Sequence, residues 1–358
     1  MVPSRGSTRA ALPDRHAVGF AAGPSASPAR AQLAHEVAKL RIGVLSNPGS
    51  TRNRKGLPRL TAALEGRAGV RHVVLDDFAS IPTALTELAD WPCDLLVVNG
   101  GDGTVHRVLT DLLGPSSPFA APPRIALLCG GMANSIALDV GLPGPPTDAF
   151  ARLLHAADAA PNGLATIERA VMEVRRAVDE PPHFGFVMGV GAFAETIKLA
   201  QPQLGPVGGI DNAAPTLALA YGILRSLFGK RSGRRFGAID LRLEADGSVV
   251  MDGSAVVLVA STLERFMFRL RPFWGEGDGA IRLTVVTDPP RRLLGALLHG
   301  LRGRSRPWMA AAGYRSIRAG RLGLRLGGPL VLDGEFLDCP PDVPVRVTAE
   351  RRLQFVRV

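Results

Sequence analysis

The chain has 358 residues, 46% of them hydrophobic and 21% charged, with a net charge of +10. That length fits one large domain or, better, two with a sizeable core, and the basic balance points to an anionic partner: nucleic acid, an anionic membrane surface or nucleotide phosphates. Aromatic residues make up 5% without basic–aromatic interleaving, which argues against a single-strand nucleic-acid platform.

Residues 1–40 read as a mostly disordered Ala/Pro/Ser extension. They carry Arg5, Arg9, Arg15 and Arg30 but no continuous apolar core ahead of a cleavage site. Residues 41–46 then form a strand running into Asn47-Pro48-Gly49-Ser50 and a basic loop with Arg52, Arg54 and Lys55; Pro58 starts a helix. Residues 70–75 are a second strand. Ser80 caps a helix over 80–89 with Pro82 in its first turn.

The stretch 93–110 organises the rest. An apolar run at 95–98 reads as a buried parallel strand. It is followed by Gly100, Gly101, Asp102, Gly103 and Thr104, then by Val105, Val108, Leu109, Leu112 and Leu113 at helical spacing. A strand, a glycine turn and a helix start form a phosphate-binding geometry, because the first helical N–H groups point outward. No Lys-Ser/Thr follows the glycines and the spacing is not G-x-G-x-x-G, so neither familiar nucleotide loop applies. Asp102 would repel phosphates unless a metal ion or a transferred proton offsets its charge.

A fourth strand, 125–129, leads into a second glycine turn, Gly130-Gly131-Met132-Ala133-Asn134-Ser135, and a short helix ending near Gly141. Strand-end loops of a doubly wound sheet emerge on one edge, where ligands bind. Asn47, Asp102 and the second turn therefore converge on one crevice. Near Pro161 the alternation stops. Short period-two runs at 170–175, 184–190, 238–243, 254–260, 281–286, 322–326 and 345–348 predict an antiparallel sandwich or barrel. Two helices interrupt it, 216–228 and 291–301. Their basic flanks, 230–235 and Arg302, Arg304 and Arg306, would touch anionic lipid head groups or simply be solvated helix ends. Asp333-Gly334-Glu335 is a hairpin-type turn that, with Asp102, would supply the second acid of a phosphoryl-transfer site.

Cys93, Cys129 and Cys339 lack C-x-x-C spacing and read as buried free thiols in a reducing compartment. Seven scattered histidines give no zinc pattern. No stretch approaches the ~20 apolar residues a membrane span needs.

With these motifs in place, the sequence resembles the diacylglycerol kinase catalytic family, which includes sphingosine and ceramide kinases, and its first part resembles NAD kinase. The resemblance rests on residues 47–50, 100–104, 130–134 and 187–195, on the Asp278-Gly279 turn and on 333–335. It implies an α/β nucleotide-binding domain with a doubly wound parallel sheet, residues 41–160, followed by a β-rich antiparallel lipid-substrate domain, residues 161–358. The active site would lie in the cleft between them.

The resemblance also implies roles. Asn47, Gly100, Gly101, Gly103, Thr104 and Gly131 would hold ATP and Mg²⁺, and Asn134 would bind nucleotide or support its turn. Glu335 would be the general base, with Asp333 beside it, and Asp102 the phosphate and metal organiser; the sphingosine kinase branch gives the base role to the residue matching Asp102. Asp278, with carbonyls near Gly275 and Ala280, would hold a structural Mg²⁺. Two departures stand out: Met132 replaces a hydroxyl residue, and the 191–195 segment, Gly-Ala-Phe-Ala-Glu, lacks an Asp.

The expected activity is ATP-dependent phosphorylation of a neutral lipid hydroxyl, of a diacylglycerol or a ceramide or sphingoid. The enzyme would be cytoplasmic and peripheral at the inner membrane face, bind an anionic membrane surface and no nucleic acid. The alternatives are a soluble-substrate kinase of the NAD kinase type and a non-catalytic lipid or nucleotide sensor.

Overall fold

The computed structural model describes residues 40–132, 134–160, 163–177, 179–200, 230–231, 234–235, 237–266 and 270–358. The expected extension, the helix over 216–228 and the side chains of the basic stretch 230–235 lie outside the described residues. Leu40–Val358 forms one compact unit.

Four parallel strands open it: β1 (Ile42–Ser46), β2 (Val70–Val74), β3 (Leu95–Gly100) and β4 (Arg124–Cys129). β1 pairs with both β2 and β3, and β3 pairs with β4, all in parallel register. The spatial order is therefore β2-β1-β3-β4. Its winding direction reverses between β1 and β3, and that reversal opens a crevice at the carboxyl ends of those two strands.

Helices cover both faces, as near-continuous apolar strands require. α1 (Asn53–Leu64) and α5 (Pro146–Ala159) pack with Val44, Leu95 and Val97. α2 (Ile81–Asp90) and α3 (Asp102–Leu113) pack with Leu45, Leu96 and Val98. Successive strand residues thus feed opposite layers.

Two helix starts differ from expectation. α1 begins at Asn53, so Arg54 and Lys55 belong to its first turn and Pro58 lies inside it. The start is pinned by the Asn53 side chain, which donates to the carbonyls of Asn47 (2.8 Å) and Asn99 (2.9 Å). Pro58 is tolerated because it and Arg54, whose carbonyl loses its partner, are on the exposed side. Ahead of α2, Asp77 rather than Ser80 supplies the capping carboxylate, accepting from Ser80 N at 3.0 Å.

The β-rich region begins with β5 (Ala165–Arg175), β6 (His183–Gly185) and β7 (Val187–Gly191), followed by α6 (Ala192–Ala200). A short hairpin, β8 (Lys230–Arg231) and β9 (Arg234–Arg235), stands apart from the main sheet. β10 (Ile239–Ala245), β11 (Ser248–Ser261) and β12 (Ile281–Thr287) follow. Next come α7 (Leu293–Gly300), α8 (Pro307–Ala311) and the closing strands β13 (Tyr314–Ala319), β14 (Arg321–Leu326), β15 (Gly328–Leu332), β16 (Glu335–Cys339) and β17 (Val345–Arg357). Among the described residues the ladders of this region are antiparallel, apart from single parallel contacts at Phe355–Ile125 and Arg271–Arg302. Their inward faces, with Met172, Met188, Leu258, Leu283, Leu330 and Val347, enclose one core.

β17 is far longer than the run at 345–348. It crosses β5 through Arg357 and touches β4 in parallel at Phe355 and Ile125. Phe355 and Val356 are buried in the two separate layers of the first region, so the last strand stitches the whole sheet together.

Candidate active site

The two glycine turns are pressed against each other. A Cβ on Gly131 would fall 2.4 Å from the Cα of Gly101, closer than any side chain allows. Gly101 N donates to Ser50 Oγ (3.2 Å), and Arg52 N donates to the Gly130 carbonyl (2.9 Å). The loops after β1, β3 and β4 are thus one hydrogen-bonded assembly at the switch point.

Within it, Asn47 Nδ2 donates to Thr104 Oγ1 (2.8 Å), and its Oδ1 accepts from Gly49 N (2.8 Å). Thr104 is buried. Asn134 sits at φ +49° and closes its own turn: Oδ1 accepts from Gly131 N (2.8 Å) and Nδ2 donates to Gly131 O (2.7 Å). These bonds hold the second glycine turn in shape. Gly100 packs its Cα on Thr104.

Asp102 opens α3. Its Oδ2 accepts from Ser135 N (2.9 Å) and its Oδ1 from Ile136 N (3.1 Å), at the start of α4 (Ser135–Val140). Burial holds its carboxyl above the usual carboxylate range. The two N–H groups pull it down, and the Asp333 carboxylate pushes it up again.

The last motif arrives from the far end of the chain. Asp333 (φ +50°) and Gly334 (φ +97°) form the two-residue turn joining β15 to β16, both in the left-handed region. The Asp333 carboxylate accepts from Phe186 N (3.0 Å to Oδ2) and Val187 N (2.8 Å to Oδ1). Those bonds break the predicted strand 184–190 into β6 and β7 at Phe186. They also anchor Asp333, whose side chain is 1% exposed, so that it holds the turn in place. The turn presents Glu335, an exposed residue, over α3: a Cβ on Gly103 would lie 3.4 Å from Glu335 Oε1.

Sequence patterning missed three supports of this site: Asn53, Asn99 and His106. Asn99 Nδ2 donates to Ser46 Oγ (3.2 Å) beneath the turns. His106, one helical turn after Asp102, is buried with Nδ1 3.9 Å from Asp333 Oδ2 and stacks on His183. Burial first, and then His106, lower the His183 pKa to about 4. Asn99 and His106 are marked only by being polar beside apolar residues, and Asn53, within the basic stretch 52–55, carries no mark in the sequence.

The residues present suit a nucleotide's phosphates. The first N–H groups of α3 have no intrahelical acceptor, and Arg52, Arg54 and Lys55 adjoin the crevice edge. Among the described residues no group of three or more His, Cys, Asp or Glu side chains gathers around a common point. A Mg²⁺ ion would therefore be held by Asp102 together with nucleotide oxygens and water. Asp278 is exposed. In its turn Arg318 Nε donates to Gly279 O (3.0 Å) and Arg318 N to Glu276 O (3.2 Å). A guanidinium there is a poor neighbour for a divalent cation. The three cysteines are free and buried, and burial raises the Cys93 and Cys339 thiols to about 11, which leaves them poor nucleophiles at neutral pH.

A separate apolar cavity of about 190 Å³ lies on the opposite face of β11 from the β-rich core. Phe193, Val257, Val259, Trp274 and Leu297 line it, with no charged side chain. Its Thr196 hydroxyl is spent on Ala192 O, and that of Thr284 on Pro272 O. Its near wall begins at Ala192, just past β7, whose first residue is bonded to Asp333. Five residues of strand separate the two, ~16 Å.

Residues 41–162 match the family model of the diacylglycerol kinase catalytic domain. No curated protein sequence matches the chain significantly. Among solved structures, a candidate diacylglycerol kinase from Bacillus anthracis str. Sterne superposes with a TM-score of 0.61 at 15% identity, over 88% of this chain and 96% of its own. A diacylglycerol kinase from the same organism gives 0.56 at 14% identity, over 88% and 96%. A yeast NADH kinase aligns over 89% of this chain and 84% of its own at 12% identity with a TM-score of 0.49, too distant to argue from. The Bacillus likenesses establish a shared fold through both the α/β and the β-rich regions. Over residues 41–162, about a third of the chain, the sequence is therefore similar to a kinase family, and over most of its length the fold is that of the Bacillus structures.

Proposed function

We propose that the protein is an ATP-dependent lipid kinase that transfers the γ-phosphoryl group to the hydroxyl of a neutral lipid, a diacylglycerol or a ceramide or sphingoid. The observation that carries this reading is the placement of Glu335 over Gly103 at the start of α3, on a turn anchored to the strand that leads to an uncharged cavity. An apolar cavity with no charged side chain in its lining takes an alkyl chain, not a nucleotide.

The N–H groups at the start of α3 hold the phosphates, with Asn47 and Thr104 fixing the loop that presents them. The lipid hydroxyl oxygen forms a bond to the γ-phosphorus as the bond from phosphorus to the ADP oxygen breaks. The hydroxyl proton passes to the Glu335 carboxylate, which is exposed and free to move. Asp333 acts on Glu335 by fixing the turn. Asp102 orients the phosphates and ties α3 to α4. A bound Mg²⁺ would supply charge neutralisation on the transferring group.

The test is transfer of label from γ-labelled ATP into detergent-dispersed diacylglycerol, monoacylglycerol, sphingosine, ceramide and NAD. Label should enter a lipid, and Glu335→Gln should lower the rate ~10²–10⁴-fold with the melting temperature unchanged, because the side chain is exposed. Label in NAD alone would make it a soluble-substrate kinase. A folded protein that labels nothing would be a non-catalytic sensor.

A further inference from the structure

α7 has two faces and both are apolar. Leu293, Ala296, Leu297 and Gly300, at helical spacing, line the cavity. On the other side Leu294 is 67% exposed and Leu298 60%. The only polar side chain in the helix is His299. A helix that is apolar all round belongs in a protein core or in lipid, and this one has only one face in the core. Its eight residues span ~12 Å, too short to cross a bilayer but suited to lying in its interface.

Arginine brackets the helix. Arg291 and Arg292 precede it, and Arg302, Arg304 and Arg306 follow; all five are exposed. Among the described residues none of them is ion-paired with a carboxylate, whereas Arg169, Arg175, Arg242, Arg321 and Arg352 elsewhere on the chain are. The Arg292 guanidinium lies 5.6 Å over the Trp308 ring, and a Cβ on Gly295 would meet that same ring at 3.5 Å. An aromatic side chain with an apolar body, beside cations, is the usual occupant of a head-group boundary.

We infer that α7 docks on an anionic lipid bilayer, with Leu294 and Leu298 in the acyl boundary and the flanking arginines on the head groups. Because its inner face is a wall of the cavity, the docked helix is the cover through which a lipid chain passes from bilayer to cavity. Charge selects this occupant: a protein groove would match the leucines but leave the arginines unpaired, and a nucleic acid would match the arginines but not the leucines. The inference rests on the lipid-kinase reading for its purpose, though its test needs no turnover.

The experiment is sedimentation of the full chain with vesicles of phosphatidylglycerol and phosphatidylcholine or of phosphatidylcholine alone, across a salt series, with quenching of Trp308 fluorescence by brominated lipid and Trp308→Phe as its control. Binding should require the anionic lipid and weaken with salt. The triple variant Arg302→Gln, Arg304→Gln, Arg306→Gln should lose affinity on the order of 100-fold. Leu294→Ser with Leu298→Ser should lose both binding and quenching at an unchanged melting temperature, and still act on detergent-dispersed lipid. Equal binding to both vesicles, or leucine variants that bind as well as wild type, would overturn the docking. Vesicle binding without any lipid phosphorylation would sink the kinase reading and leave the docking standing; phosphorylation in detergent without vesicle binding would do the reverse.

Discussion

A methyl group placed on Gly103 would lie 3.4 Å from Oε1 of Glu335, although one residue is the second of the third helix and the other begins the penultimate strand. A methyl there would make van der Waals contact with the carboxylate, so two glycine substitutions should separate crowding of the site from stability. Gly103→Ala adds that methyl within a helical turn. It should leave the melting temperature equal or higher and lower kcat/KM at least tenfold. Gly131→Ala drives a Cβ against Gly101 and should cost about 1–3 kcal/mol in urea unfolding.

Asp102 should reveal itself through pH. Its folded pKa is raised, by burial first, so the folded protein holds the proton more tightly than the unfolded chain. Stability is then lost as pH climbs from the ordinary carboxylate range through the raised value. Asp102→Asn removes that loss. The melting-temperature difference, variant minus wild type, should become more positive from pH 4 to pH 7.5, while phosphoryl transfer falls sharply. A difference that stays flat with pH would contradict the assignment.

His183 carries the opposite sign. Its folded pKa is lowered to about 4, by burial and then by His106. Between ~6.5 and 4 the unfolded chain takes a proton that the folded chain refuses. Stability is complete above pH 6.5 and declines as pH falls toward 4. His183→Asn should flatten that decline in melting curves collected from pH 7 to pH 4.

Asp139, at the end of α4, is 1% exposed and receives Arg169 Nε (2.9 Å), Glu264 N (3.2 Å) and Arg265 N (3.1 Å). It joins the helix under the active site to the segment that carries Phe266 into the cavity wall. Asp139→Ala leaves the Glu264 and Arg265 N–H groups without their acceptor, while Arg169 keeps Glu264 (3.0 Å), and should cost about 1–3 kcal/mol, measured by urea unfolding. Asp139→Asn, which keeps one acceptor, should cost less.

The sequence by itself determined the local events. Apolar runs bounded by glycine turns mark β1, β3 and β4, because a strand buried on both faces must be apolar and a tight turn must be glycine. The Asp333-Gly334 pair marks its hairpin because a two-residue turn needs left-handed backbone at both positions. The docking of that turn was not legible. Nothing in the spacing tells that the Asp333 side chain is buried against the N–H groups of Phe186 and Val187, whereas Glu335 beside it is exposed. The start of α1 was hidden for the same reason: Asn53 bonds to carbonyls that are distant or non-helical neighbours, and spacing carries no record of them. The long run of β17 beside both regions, the direct Gly101–Gly131 contact within the crevice the strand order predicts, and which face of α7 is covered were decided only by tertiary structure. Each depends on which surfaces meet, and periodicity fixes only which residues share a face.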